Sequence, residues 1–171
     1  NDERLVQLQT STSSWHARRA RVILQHRAQV GNLSQQALES LRDLYVHHKD
    51  PDIRLRAMWT RHIIADFQEA ELIAALKDDD EHIRAWAIQI LNEDQKASPA
   101  ACDQFVSLAK NDPSPVVRLY LASTLRRVPE KIQWKIAQGL AGRGTDQDDH
   151  NIPKMIRFGI CDLVPNHPGK S

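Results

Sequence analysis

Cysteine is scarce: Cys102 and Cys161 are the only two in 171 residues. They are far apart and form no CxxC or CxxCH, which argues against a disulfide framework, a zinc ribbon and covalent haem attachment within this chain. Glycine is scarce too, at 6 residues, and aromatics make up 5%. Plentiful Leu, Ala, Arg, Gln and Ile favour helix over strand. Neither sign of charge dominates: 23 Lys+Arg against 22 Asp+Glu leave a net +1. Such a balance gives no general pull toward nucleic acid or a membrane surface. No apolar run approaches the ~18 residues of a membrane span, and no signal peptide is evident. The start at Asn1 without Met is read as that of a segment of a longer protein.

Repetition is what the sequence has instead. The segments KDPDIRLRAMW (49–59), KDDDEHIRAWA (77–87) and NDPSPVVRLYL (111–121) share one plan. An Asp leads, a short polar or proline turn follows, then an aliphatic residue and an Arg. Arg56, Arg84 and Arg118 each lie six positions after Asp50, Asp78 and Asp112. A fainter copy, TSTSSWHARRARVIL (10–24), places Arg18 in the key position and Thr12 where the Asp would be. The Arg-to-Arg spacings of 38, 28 and 34 residues point to a solenoid of helical pairs.

Helices are expected at about 14–29, 53–65, 81–93 and 114–127 for the Arg-bearing set. Between them, Ser34 caps one helix, 69–77 forms a short one, and Ser98 with Pro99 opens another. A helix over 129–143 and a closing one in 151–164 follow, and residues 2–9 supply the first. The expected fold is all-α, a right-handed superhelix of about five pairs (1–29, 33–65, 68–93, 98–127, 129–164), in one domain over 1–164 with a polar tail, 165–171. Buried positions are expected to include Leu41, Leu44, Leu55, Met58, Ile63, Leu72, Leu76, Ile83, Trp86, Ala87, Leu91, Phe105, Leu108, Val117, Leu121, Leu125, Ile132, Ile136 and Leu140.

In such a stack the repeated Arg is expected near the start of each inner helix. There it would bond Asp residues or turn carbonyls of its own or the preceding repeat. The expected ladder is Arg18, Arg56, Arg84 and Arg118 with Asp50, Asp78 and Asp112, since Arg–carboxylate forks are charge-assisted and well oriented. A phosphate-binding role for the same arginines would need them exposed. The basic helix 16–29 offers Arg19, Arg21 and Arg27 as a possible docking face for a neighbouring domain or an acidic partner.

The Asp–turn–aliphatic–Arg signature resembles HEAT repeats of the short bacterial kind. The segments WHARRARVILQHRA (15–28), DEHIRAWAIQIL (80–91), DPSPVVRLYLASTLRRVP (112–129) and DDHNIPKMIRFGI (148–160) are similar to the helical part of the planctomycete and verrucomicrobial membrane-bound dehydrogenase family. Those proteins combine a sugar-dehydrogenase-like β-propeller, HEAT repeats and a c-type cytochrome domain. The resemblance implies that this chain is the HEAT segment of a haem-containing oxidoreductase, periplasmic or membrane-associated through its parent. The redox residues would then lie in the other domains. The first repeat departs from the pattern by lacking the turn Asp, and the fifth because Arg157 is out of register.

On this reading the chain is a non-catalytic scaffold or protein–protein interaction module. It carries no cofactor of its own, and its partners are the flanking domains of its parent or another protein; neither nucleic acid nor membrane is expected as a partner. Two alternatives stay open. One is a HEAT-like DNA-binding protein or DNA glycosylase, suggested by Trp59, Trp86, Tyr120 and Trp134 beside acidic residues. The other is a free-standing cytosolic assembly factor. The histidines His47, His48, His62, His82 and His150 do not share a metal-ligand spacing on one helix face. The acidic run 146–149 lacks the glycine and terminal Glu of an EF-hand loop. No GxGxxG, P-loop or nucleophile–base set occurs.

Overall fold

A computed structural model describes residues 1–163; the expected polar tail 165–171 lies outside the described residues. The described chain is all-α, with ten α-helices and no strand. It divides into two compact units, Asn1–Gln68 and the chain from Glu69 onward, where the sequence suggested one domain.

The first unit holds α1 (Asp2–Gln7), α2 (Ser14–Gln29), α3 (Gln35–His47) and α4 (Pro51–Ile63). A 3-10 turn, Leu8–Thr10, follows α1. The helix starts are set by side chains. Ser13, Ser34 and Asp50 each accept a backbone N–H of the first turn, and Pro51 takes the first position of α4, where its missing N–H costs nothing. At the end of α2, Gly31 adopts φ 70°, and Asn32 N–H reaches back to Arg27 O at 2.8 Å. The end of α4 repeats this geometry with Ala65 at φ 58° and Asp66 N–H on Arg61 O at 2.9 Å. Both are Schellman-type stops. Helix α1 packs on α2 and α3, and α4 packs on α3 and α2. Val6, Leu24, Ala37 and Leu41 form the shared core, with Leu5, Leu33, Leu44 and Ile64 against it.

The second unit holds α5 (Glu69–Ala75), α6 (Glu81–Leu91), α7 (Pro99–Asn111), α8 (Pro115–Thr124), α9 (Glu130–Ala141) and α10 (Ile152–Ile160). Two 3-10 turns, Leu125–Arg127 and Gly144–Asp146, interrupt it. Asp80, Ser98 and Ser114 cap α6, α7 and α8, and Pro99 and Pro115 open the last two. The helices form two rows: α6, α8 and α10 touch in succession, as do α5, α7 and α9. Ile83, Ile88, Val117, Leu121 and Leu125 are buried in the first row, and Phe105, Ile136 and Leu140 in the second.

Of the positions expected in the core, Leu44, Ile63, Trp86, Leu108 and Ile132 are only half-buried. The rest are buried. Leu44 and Leu108 lie in the last turns of α3 and α7, and Ile63 ends α4. Helix ends are less covered than helix middles.

Candidate functional site

The most regular feature of the chain is a turn, repeated before every helix of the α2, α4, α6, α8, α10 series. The side chain two residues before the N-cap accepts the N-cap's own backbone N–H. Ser11 does this for Ser13 at 3.1 Å, His48 for Asp50 at 3.0 Å, and Asp78 for Asp80 at 3.0 Å. Asp112 does it for Ser114 at 2.9 Å and Asp149 for Asn151 at 2.8 Å. Such turns exploit the short polar side chain's reach to the backbone two residues on.

Four residues after the N-cap comes the Arg of the pattern: Arg54 on α4, Arg84 on α6 and Arg118 on α8. Arg84 Nη1 donates to the carbonyl of Asp78 at 2.8 Å, while Nε and Nη2 fork onto the carboxylate of Asp112 at 2.8 and 3.0 Å. Arg118 Nη1 donates to the carbonyl of Asp112 at 3.0 Å, while Nε and Nη2 fork onto Asp146, both at 2.5 Å. Asp112 is thus shared: its carboxylate serves the Arg of the preceding helix and its carbonyl the Arg of the following one. Arg84, Asp112, Arg118 and Asp146 are nearly or fully buried. Bonding to Asp112 raises the Arg84 guanidinium further above its ordinary value, and bonding to Asp146 does the same for Arg118. Both are locked in the charged state.

Several expected ladder members stand elsewhere. Arg18 is exposed and bonds to none of the described residues; its helix starts at Ser13, so Ala17 takes the position that Arg occupies on α6 and α8. Arg56 lies two residues beyond that position. Asp50 is itself the N-cap of α4 and sits where Asp80 does, not where Asp78 does. Aligning by the leading Asp therefore shifts α4 by two residues, and Arg54, donating to Tyr45 O at 2.9 Å, holds the equivalent place. Arg56 Nη1 still caps turn carbonyls, those of Gln9 at 3.2 Å and Ser11 at 2.7 Å. The carboxylate partners of Arg84 and Arg118 come from the following repeat, not from their own or the preceding one. Asp146 was not among the expected members, because a 3-10 turn and not the leading-Asp motif presents it.

The expected docking face is also redistributed. Arg27 pairs with Asp2, whose other oxygen accepts Ser34 N–H at 2.8 Å. Burial alone would raise the Asp2 carboxyl, but the Ser34 and Arg27 bonds outweigh it and hold the group below its ordinary value. Arg21 donates to Thr60 Oγ1 at 3.3 Å and lies over the Trp59 ring at 5.2 Å. Of these three, only Arg19 is exposed without a bond to the described residues.

Sequence reasoning missed a further buried guanidinium. Arg61, in the last turn of α4, is wholly buried. Its Nε donates to Asp66 Oδ2 at 2.7 Å, and its Cζ lies 4.0 Å from the Phe67 ring centre. Arg42 also pairs with Asp66. A basic residue in a helix's last turn reads as a solvated one, so RHI offered no signal.

Trp86 and Tyr120 lie against each other, ring centres 6.4 Å apart and tilted 55°. Trp134 is buried. Among the described residues no group of three His, Cys, Asp or Glu could hold a metal ion. Cys102 is buried, and that burial, helped by the Asp103 charge, pushes its thiol up and away from the reactive thiolate form. Chemically, the paired arginines and the shared carboxylate can fix helices in register.

The chain matches no protein-family model, and the curated proteins contain no match to it.

Proposed function

We propose that the chain is a HEAT-type solenoid segment of about five helical pairs and serves as a non-catalytic scaffold. The observation that carries this reading is the run Arg84–Asp112–Arg118–Asp146. It joins successive helices through buried charge-assisted forks, a device suited to fixing the spacing of repeats. Arginines neutralised in this way are spent on shape. The resemblance to the membrane-bound dehydrogenase family extends the reading: the segment would hold a propeller domain and a c-type cytochrome domain at a set separation.

The test is direct. The recombinant chain is mixed with separately produced propeller and cytochrome domains of such a dehydrogenase, and association is followed by sedimentation velocity. A complex with either domain is the expected result. Absence of association with both, at concentrations of about 50 μM where a weak contact would register, overturns the scaffold assignment to that family.

A further inference from the structure

Within the first unit, α2 and α4 present matching stripes to one shared pocket. Ser14, Arg18 and Arg21 come from α2, and Asp52, Arg56 and Trp59 from α4. Each set follows the i, i+4, i+7 spacing of one helix face. The pocket measures about 250 Å³, small for a metabolite site but large enough for a single compact oxyanion.

Its charge is the notable property. Three guanidiniums and one carboxylate among its lining residues give a formal +2. In the second unit, Arg84 and Arg118 each face a buried carboxylate. Here Arg18 has no bond to the described residues, Arg56 spends one nitrogen on carbonyls, and Arg21 spends Nε on a hydroxyl. Desolvation, followed by the charges of Arg56 and Arg18, lowers the Arg21 guanidinium from its ordinary value. Three like charges held together without matching carboxylates are relieved by a dianion.

We infer that this pocket binds a phosphate group, with Arg18, Arg21 and Arg56 as its donors. A phosphate monoester carries about −1.5 to −2 at neutral pH, which matches the lining charge where a single carboxylate would not. Arginine forks suit its oxygens. Ser14 adds a hydroxyl in the first turn of the 16-residue α2, where the helix dipole also favours an anion. The Trp59 ring borders the pocket and can pack against the organic part of an ester. The site goes beyond the scaffold role and does not depend on it.

Calorimetric titration of the whole chain at low salt and pH 7 tests the site, with inorganic phosphate, phenyl phosphate and a short DNA duplex as probes. Saturable binding of one phosphate or phenyl phosphate per chain is expected. Equal affinities identify the free ion as the ligand, and tighter phenyl phosphate identifies an ester. Arg18→Gln removes a donor that no intrachain contact uses, so its melting temperature should stay unchanged while binding weakens about tenfold. Arg19→Gln, which removes the same charge at the next position in sequence, outside the pocket lining, should bind as the parent does. The inference is overturned if neither small phosphate binds up to about 10 mM, if the two variants behave alike, or if the duplex binds with a steep salt dependence and the small phosphates do not.

Discussion

Arg84 and Asp112 lie 28 positions apart in sequence and meet through two parallel bonds of 2.8 and 3.0 Å. Asp112 simultaneously accepts Ser114 N–H, so one buried carboxylate both shapes the turn before α8 and holds α6 against it. Three donors converge on a side chain 2% exposed. Its removal leaves the largely covered Arg84 guanidinium, 11% exposed, without its counter-charge, and that unpaired charge decides the cost.

Asp112→Ala should therefore destabilise the protein by about 3–5 kcal/mol, seen as a lower urea midpoint with an unchanged slope. Asp112→Asn keeps an acceptor for the turn and loses the charge, so it should fall between the parent and Asp112→Ala. Equal midpoints for parent and Asp112→Ala would mean that the fork contributes nothing to the fold.

Acid should weaken the first unit through Asp2. Its carboxyl lies below the ordinary value when folded, so the unfolded chain binds its proton more readily. The stabilisation is complete above the unfolded value of about 3.9 and fades as pH falls through the lower folded one. Urea midpoints of the parent and Asp2→Asn should differ at pH 7 and draw together near pH 3. A gap that persists undiminished at the lower pH would show that ionised Asp2 is not its source.

How far the sequence discloses this molecule depends on how local each signal is. Ser34, Ser98 with Pro99, and Ser114 with Pro115 announce helix starts, because a cap bonds N–H groups within three residues of itself. The repeated Arg was legible as a pattern, but its register was not. Asp50 looks like Asp78 and Asp112 in sequence, yet His48 accepts the N-cap N–H in their place. An imidazole nitrogen and a carboxylate oxygen are interchangeable as acceptors there, and sequence alignment by residue type overlooks that. The partner of Arg118 was hidden for a different reason. Asp146 reaches it from a 3-10 turn in an irregular stretch, and no periodicity marks such a residue. The pocket formed by Arg18, Arg21 and Arg56 needs α2 and α4 side by side, information that neither helix carries alone.

Arg61 and Arg42 share Asp66 but differ in surroundings. The Arg61 side chain is 0% exposed and the Arg42 side chain 46%. Replacing Arg61 by Ala empties a buried site over Phe67 and leaves Asp66 with half its neutralising charge, at a cost of about 3–5 kcal/mol. Arg42→Ala gives up a half-exposed pair, worth about 0–1 kcal/mol. Thermal melts of the two variants should separate clearly, and comparable losses would contradict the burial assigned to Arg61.

Gly159 on α10 sits tightly against Leu125 at the end of α8. A methyl group added there would lie 2.5 Å from Leu125 Cδ1 and 2.6 Å from its Cβ. Leu125 is itself fully buried at the end of α8, so rotating it away would open space in the core. The Gly159 carbonyl also accepts the Gln133 side-chain N–H from α9, which fixes the backbone from the other side. Alanine favours helix over glycine by about 1 kcal/mol, so an exposed glycine at this point would gain from the change. Overpacking costs about 1–3 kcal/mol, and with both neighbours fixed it should win. Gly159→Ala should lower the melting temperature, while Gly159→Ala combined with Leu125→Ala, which removes the clashing Cδ1 but keeps Cβ, should show a smaller penalty than the two single changes added together. Additive losses would show that the helices do not meet at this point.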